Sequence, residues 1–272
     1  MRKILFVTAG CLLLASTSSA QTAKTAIQYY DQGIKLLDTE KYTEALAAFK
    51  NAIAKNPGYK EALYSAGWTS NELKKYTDAV TYLEKAKTLW PNEAKVYLEL
   101  GYANEMLKKK TIAIDYYNKC ITINDEYALA YKYLGLLYYD DFNNEKAVEN
   151  FEYYLELVPD TKDDNVYYKK GVAENDLGKY NAALASVKKA VELKPGSTRN
   201  INELAYTHYL LENEAEALLN FDKALSIDPK SLTALNGRAD VYRKLKKDAA
   251  AAIKLYAKTL ELDPKNKKAN YW

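Results

Sequence analysis

Residues Ala128–Thr161 read ALAYKYLGLLYYDDFNNEKAVENFEYYLELVPDT. Tyr131 is followed by Leu134, Gly135 and Tyr138, in the order aromatic-x2-Leu-Gly-x2-Tyr. Ala147 and Phe151 then stand four residues apart, on one face of a helix, and Pro159 follows eight residues later. The template recurs before and after this stretch at a step of 34 residues. Each copy holds two helical periods divided by a short polar turn and closed by a break, which predicts a helix pair.

Working outward, the copies fall at 26–59, 60–93, 94–127, 128–161, 164–197, 198–231 and 232–266. Pro57, Pro91, Pro159, Pro195, Pro229 and Pro264 each close a copy, where a residue that cannot continue a helix is useful. The third copy carries Asp125 in place of proline. Lys162 and Asp163 are inserted before the fifth, and one extra residue near Lys247 is assigned to the turn of the seventh. Ala45, Ala79, Ala113, Ala147, Ala183, Ala217 and Ala252 share one register of the second helix. Gly33, Gly67, Gly101, Gly135 and Gly171 share one register of the first, with Ala205 and Ala239 continuing it. A helical glycine costs up to about 1 kcal/mol relative to alanine, so five at one position imply close helix contact. Larger anchors accompany them: Tyr29, Leu63, Tyr97, Tyr131, Tyr167, Ile201 and Leu235 on the first helix; Phe49, Leu83, Tyr117, Phe151, Val187, Phe221 and Tyr256 on the second.

With these residues the chain resembles the tetratricopeptide repeat (TPR) family over about 26–266. The resemblance implies an all-α, right-handed α-solenoid of helix-turn-helix units, about 14 helices in one domain over 21–272. Residues 267–272 read as a truncated cap, with Tyr271 and Trp272 folding back on the seventh unit; the alternative is that these two residues mark a contact surface.

The first twenty residues, MRKILFVTAGCLLLASTSSA, predict a secretory signal peptide: a charged start, a short apolar run and small residues before a cut. A protein of the cell envelope, periplasmic or secreted, is the expectation. The alternative is a lipid anchor through Cys11, since Thr8-Ala9-Gly10-Cys11 weakly resembles a lipobox. No later segment is apolar and long enough to span a membrane. Removal of Arg2 and Lys3 leaves the chain near +1 from a formal +3, without the basic field of a nucleic-acid binder. Cys120 is then alone, so no intramolecular disulfide forms, and its register predicts a small buried side chain.

Nothing in the sequence reads as a catalytic site. His208 is the only histidine and falls at a packing register. No phosphate-binding glycine loop is present, and a His–Cys metal cluster is excluded by count. The acidic insert around Asp163 and Asp164 reads as a helix cap rather than a calcium loop. The chain is read as a non-enzyme with no cofactor and no metal.

The resemblance implies that first helices line a concave groove. Carried over by register, the groove positions are Tyr30, Tyr64, Trp68, Tyr102, Tyr139, Tyr168, Tyr206 and Tyr209. Beside them run Asp38, Glu72, Glu105, Asp140 and Asp176, with Asn71, Asn175 and Asn202. Aromatic side chains offer large contact area at low entropy cost, and amides can bond an extended backbone. Basic and amide groups gather only at Arg199, Asn202, Asn236 and Arg243, so the family's clamp for a C-terminal carboxylate is absent. The acidic line predicts a protein or peptide partner with neutral or basic segments. The main expectation is an interaction scaffold or adaptor. The alternatives are a structural subunit held by its convex face or C-terminal end and, more remotely, a carbohydrate binder or an enzyme.

Overall fold

The computed structural model describes residues 24–271. The predicted signal peptide with Cys11, and Trp272, lie outside the described residues. The first six helices are α1 (Ala26–Leu37), α2 (Tyr42–Lys55), α3 (Lys60–Glu72), α4 (Tyr76–Leu89), α5 (Ala94–Met106) and α6 (Lys110–Ile123). There follow α7 (Ala128–Asp140), α8 (Asn144–Leu157), α9 (Asp164–Asp176), α10 (Tyr180–Leu193), α11 (Thr198–Leu210) and α12 (Glu214–Ile227). The array closes with α13 (Leu232–Asp240), a π turn (Val241–Leu245), α14 (Ala249–Leu262) and α15 (Lys267–Tyr271). No strand occurs among the described residues. Each helix packs on the next, and α3 also meets α5, α7 meets α9, α9 meets α11 and α11 meets α13. First helices therefore stand side by side and form one continuous face.

The close approach has the steric cause the glycines imply. A Cβ on Gly33 would lie 2.4 Å from the Phe49 ring, on Gly67 2.4 Å from Leu83, and on Gly101 2.5 Å from Tyr117. Gly135 and Gly171 meet Phe151 and Val187 at 2.6 and 2.5 Å. In the sixth unit, where Ala205 carries a real Cβ, the Phe221 ring lies instead over Gly237 of the next first helix, 2.2 Å from its ideal Cβ. All seven register alanines are buried. So is Cys120, whose thiol is pushed up to about 12 by burial. His208 is buried too, its imidazole held below the ordinary value by desolvation.

Local chemistry sets the turns. Between units, Asn56, Asp228 and Asp263 accept a backbone N–H two residues on with their side-chain oxygen. Asn124 does the same to Glu126 at 3.0 Å, so the third unit turns without its proline. Of the two inserted residues, Asp163 caps α9 by accepting from the Asn165 N–H and pairs with Lys132 at 2.6 Å.

Within units, one residue of each turn is left-handed: Glu40, Lys74, Lys108, Phe142, Glu212 and Lys247 at φ between 56° and 62°, and Gly178 at φ 73°. Only glycine adopts this conformation without cost. Gly178→Ala is expected to lower stability by about 1 kcal/mol while leaving the fold intact, since six sibling turns already bear that cost. An unchanged or raised urea midpoint would contradict this.

Two details differ from the sequence reading. The extra residue of the seventh unit sits at the end of its first helix, not in the turn. There Lys246 N–H bonds Val241 C=O five residues back, and Asp248 N–H reaches Tyr242 C=O. An added residue in a helix is accommodated by this wider hydrogen-bond ring. At the C-terminus, Ala269 packs with Ala239, Ala252 and Tyr256. Tyr271 is 76% exposed rather than folded back. Five residues make barely more than one helical turn, so α15 presents only its small residue to the core.

Candidate partner-binding groove

The face built by the first helices carries the expected aromatic residues in two clusters. In the N-terminal cluster, Tyr30, Tyr64 and Trp68, with Trp90, line a cavity of about 350 Å³. Tyr30 rests on Phe49 and Tyr59, with ring centroids at 5.7 and 5.1 Å. Trp68 meets the edge of Tyr42 at 6.2 Å, and Tyr102 meets Tyr76 in the same way at 6.2 Å. Tyr42 and Tyr76 open second helices, so in the first two units the second helix props a groove aromatic of the next unit. Tyr102 continues to Tyr133, which stacks on the buried Tyr117 at 5.4 Å.

In the C-terminal cluster, Tyr168, Asn202, Tyr206 and Tyr209 line a cavity of about 670 Å³, closed below by Asn236 and Asp240. Tyr206 and Tyr209 stack at 6.0 Å. They also border a second space of about 620 Å³ edged by Arg243, Lys244 and Lys268. The middle of the face is engaged internally. Lys169 lies over the Tyr139 ring at 4.0 Å and pairs with Asp140 at 3.0 Å. Asp176 accepts from Asn144 at 3.2 Å. Glu105 accepts from the Tyr117 hydroxyl at 2.7 Å, which ties it to the helix-pair interior. Glu72 is exposed.

The amides recur at two registers of the first helices. Asn71 donates to the Glu99 carboxylate at 2.7 Å and Asn175 to Glu203 at 2.8 Å. Asn202 donates to Ser231 and Asn236 to Asn266, each at 3.3 Å. In all four the amide oxygen is buried without a hydrogen-bond partner. A buried polar atom left unpaired carries a cost of about 1–3 kcal/mol; Asn71 and Asn175 share one register and Asn202 and Asn236 another, so two recurring pairs mark an unfinished surface. Burial pushes the Glu99 carboxyl up to about 7; the Asn71 bond opposes this and the Glu72 charge adds to it. Glu203 is raised by the same causes, with Asn175 opposing and Asp176 adding. Burial also raises Glu105 and both Tyr102 and Tyr206. No group of histidine, cysteine and carboxylate ligands suited to a metal occurs among the described residues. No described helix is long and apolar enough to cross a membrane.

Four participants were missed by sequence reasoning. Tyr42 and Tyr76 stand at the start of second helices, outside the groove register, and Glu99 and Glu203 lie at a register occupied elsewhere by Asp31, Ser65, Tyr133, Lys169 and Gly237. The usable signal was the pairing of each glutamate with an asparagine 28 residues earlier.

Family models described as tetratricopeptide repeat match residues 30–94 and 201–267, and 94–127 and 164–197. A Hsp70-Hsp90 organizing protein of Triticum aestivum is 32% identical over 108 residues, 40% of this chain and 17% of that protein. Heat shock protein STI1 of Saccharomyces cerevisiae is 28% identical over 113 residues, 42% of this chain. This chain thus spans under a fifth of each relative's length, 17% and 19%. Among solved structures, the C-terminal part of a TPR protein of Cytophaga hutchinsonii matches with TM-score 0.67 at 21% identity, covering 89% of this chain and 98% of that one. YrrB, described as a TPR protein with an unusual peptide-binding site, matches with TM-score 0.63 at 21% identity, covering 70% and 96%. A MamA structure matches at 31% identity with TM-score 0.55, covering 60% and 94%. Helix pairs, the glycine register and family models agree: the chain belongs to the tetratricopeptide repeat family, whose repeats mediate protein–protein interactions.

Proposed function

We propose that the chain is an exported adaptor of the cell envelope that binds an extended segment of a partner protein along the face of its first helices. The observation that carries this reading is the set of four buried, unpaired amide oxygens on first helices, in two recurring pairs, with aromatic cavities on the same face. An extended backbone supplies N–H donors at regular intervals, and tyrosine and tryptophan faces hold the side chains between them. The signal-like first twenty residues support export. The peptide-binding site named for YrrB supports the same use of this fold.

A second reading, a structural subunit held by its C-terminal end, is favoured by exposed Ile253 and Tyr271 there. One experiment separates the two. The chain, without its first twenty residues, is immobilised and a cell-envelope extract is passed over it. For the groove reading, Trp68→Ala with Tyr102→Ala is expected to lower partner retention at least about tenfold, as for aromatic hot spots. Deletion of 267–272 is expected to leave retention intact. The reverse pattern would move the function to the C-terminal end.

A further inference from the structure

The groove contains the same constellation twice. Asn71 and Glu99 recur as Asn175 and Glu203, displaced by 104 residues: three repeats plus the two-residue insertion. At the Asn71 register the other units carry Leu37, Glu105, Tyr139, Tyr209 and Arg243, so the pair exists at these two junctions alone. The surroundings recur as well. Tyr64 with Lys95 over its ring at 4.8 Å matches Tyr168 with Arg199 over its ring at 4.1 Å. The second acids, Glu72 and Asp176, are both exposed.

Both copies are built to accept and not to donate. The Asn71 amide nitrogen gives its hydrogens to the Glu99 carboxylate and backbone oxygen, at 2.7 and 3.2 Å. The Asn175 nitrogen gives its hydrogens to Glu203 and Thr207, both at 2.8 Å. What remains at each junction is a half-buried carboxylate and an unpaired amide oxygen. Neither glutamate has an ion-pair partner among the described residues. The adjacent cations are held elsewhere: Lys95 lies over Trp90 at 4.5 Å, and Arg199 bonds Asp164 at 3.3 Å and Asn165 at 3.1 Å. A half-buried carboxylate without a cation is costly, and a second acid beside it makes the local potential more negative.

We propose that the two junctions are equivalent cation subsites, centred on Glu99 and Glu203, which take lysine or arginine side chains of a basic partner segment. This rests on the groove-binding reading and names the chemistry of its ligand. A guanidinium or ammonium group brings only donors and a positive charge, the complement of what each site lacks. An acidic or phosphorylated segment would meet two carboxylates per site and is repelled.

The test is a nuclear magnetic resonance titration of the chain without its first twenty residues, using the blocked tripeptide acetyl-Gly-Arg-Gly-amide. Its citrulline analogue, equal in shape but uncharged, is the control. The side-chain amide signals of Asn71 and Asn175 are expected to shift together, and the citrulline peptide to bind at least about tenfold more weakly. Glu99→Gln removes the response at Asn71 alone and Glu203→Gln that at Asn175 alone. Glutamine still accepts the asparagine hydrogen bond, so both variants fold. Equal binding of the citrulline peptide, or undiminished binding by the double glutamine variant, would overturn the proposal. The broader groove reading would then still be judged by partner retention in the Trp68 and Tyr102 variants.

Discussion

Phe151→Ala is expected to lower stability by about 3–5 kcal/mol, the loss typical of a fully buried aromatic ring. Gly135→Ala in the native background is expected to cost about 1–3 kcal/mol, because its new Cβ would fall 2.6 Å from two atoms of that ring. The two changes should not add. With the ring gone, the alanine methyl has room, and the better helix propensity of alanine, about 1 kcal/mol, is all that remains of the second change. Gly135→Ala therefore reverses sign in the Phe151→Ala background. Urea denaturation of the four proteins measures the cycle, with Gly196→Ala as a control where a Cβ meets nothing within 4 Å. Additive losses would mean that the glycine register exists for some reason other than this contact.

Glu99→Gln is expected to stabilise the protein at alkaline pH and to do nothing in acid. The Glu99 carboxyl is raised to about 7 by burial, against Asn71 and with Glu72. A raised acid binds its proton more tightly when folded, so stability falls as pH climbs from its unfolded value to about 7, and the full cost is present above that. The size is on the order of 3 kcal/mol unscreened, and about 1–2 kcal/mol for a side chain still in reach of water. The groups facing it explain why no positive charge offsets the cost. Glu72 and Tyr64 come from α3, Tyr117 from α6, and Tyr127 and Tyr133 from the approach to α7 and from α7 itself. Lys95, on the same helix, is turned onto Tyr64 and Trp90. Thermal melts of both proteins at pH 4 and pH 8 provide the check. A variant no more stable than the parent at pH 8 would show that the carboxylate is already compensated.

The architecture was readable because steric demands repeat. A glycine facing a large apolar side chain sixteen residues later is forced by contact within one unit, so it returns in each of the first five units. The placement of the aromatic positions on the first helices was readable by the same register. Asn71–Glu99 and Asn175–Glu203 were not, because each pair spans two units and occurs at only two junctions, with a two-residue insertion between them. A single-register search averages such a signal away. The role of Tyr42 and Tyr76 was hidden differently: they open second helices, yet their rings reach the next unit's first helix. Sequence distance says nothing of that reach. The extra residue of the seventh unit was counted correctly and placed wrongly, since composition does not distinguish a longer turn from a widened helical ring.

That π turn bears on how the array can vary in length. One added residue in an α-helix is a phase error of about 100° for everything after it. Left uncorrected, it would swing the following helix's apolar stripe toward solvent. Here the error is cancelled within Val241–Leu245, and Ala252 and Tyr256 still face inward, both buried. The end of a first helix thus acts as a phase buffer between two rigid periodic blocks, a place where an insertion leaves the core residues on either side unchanged.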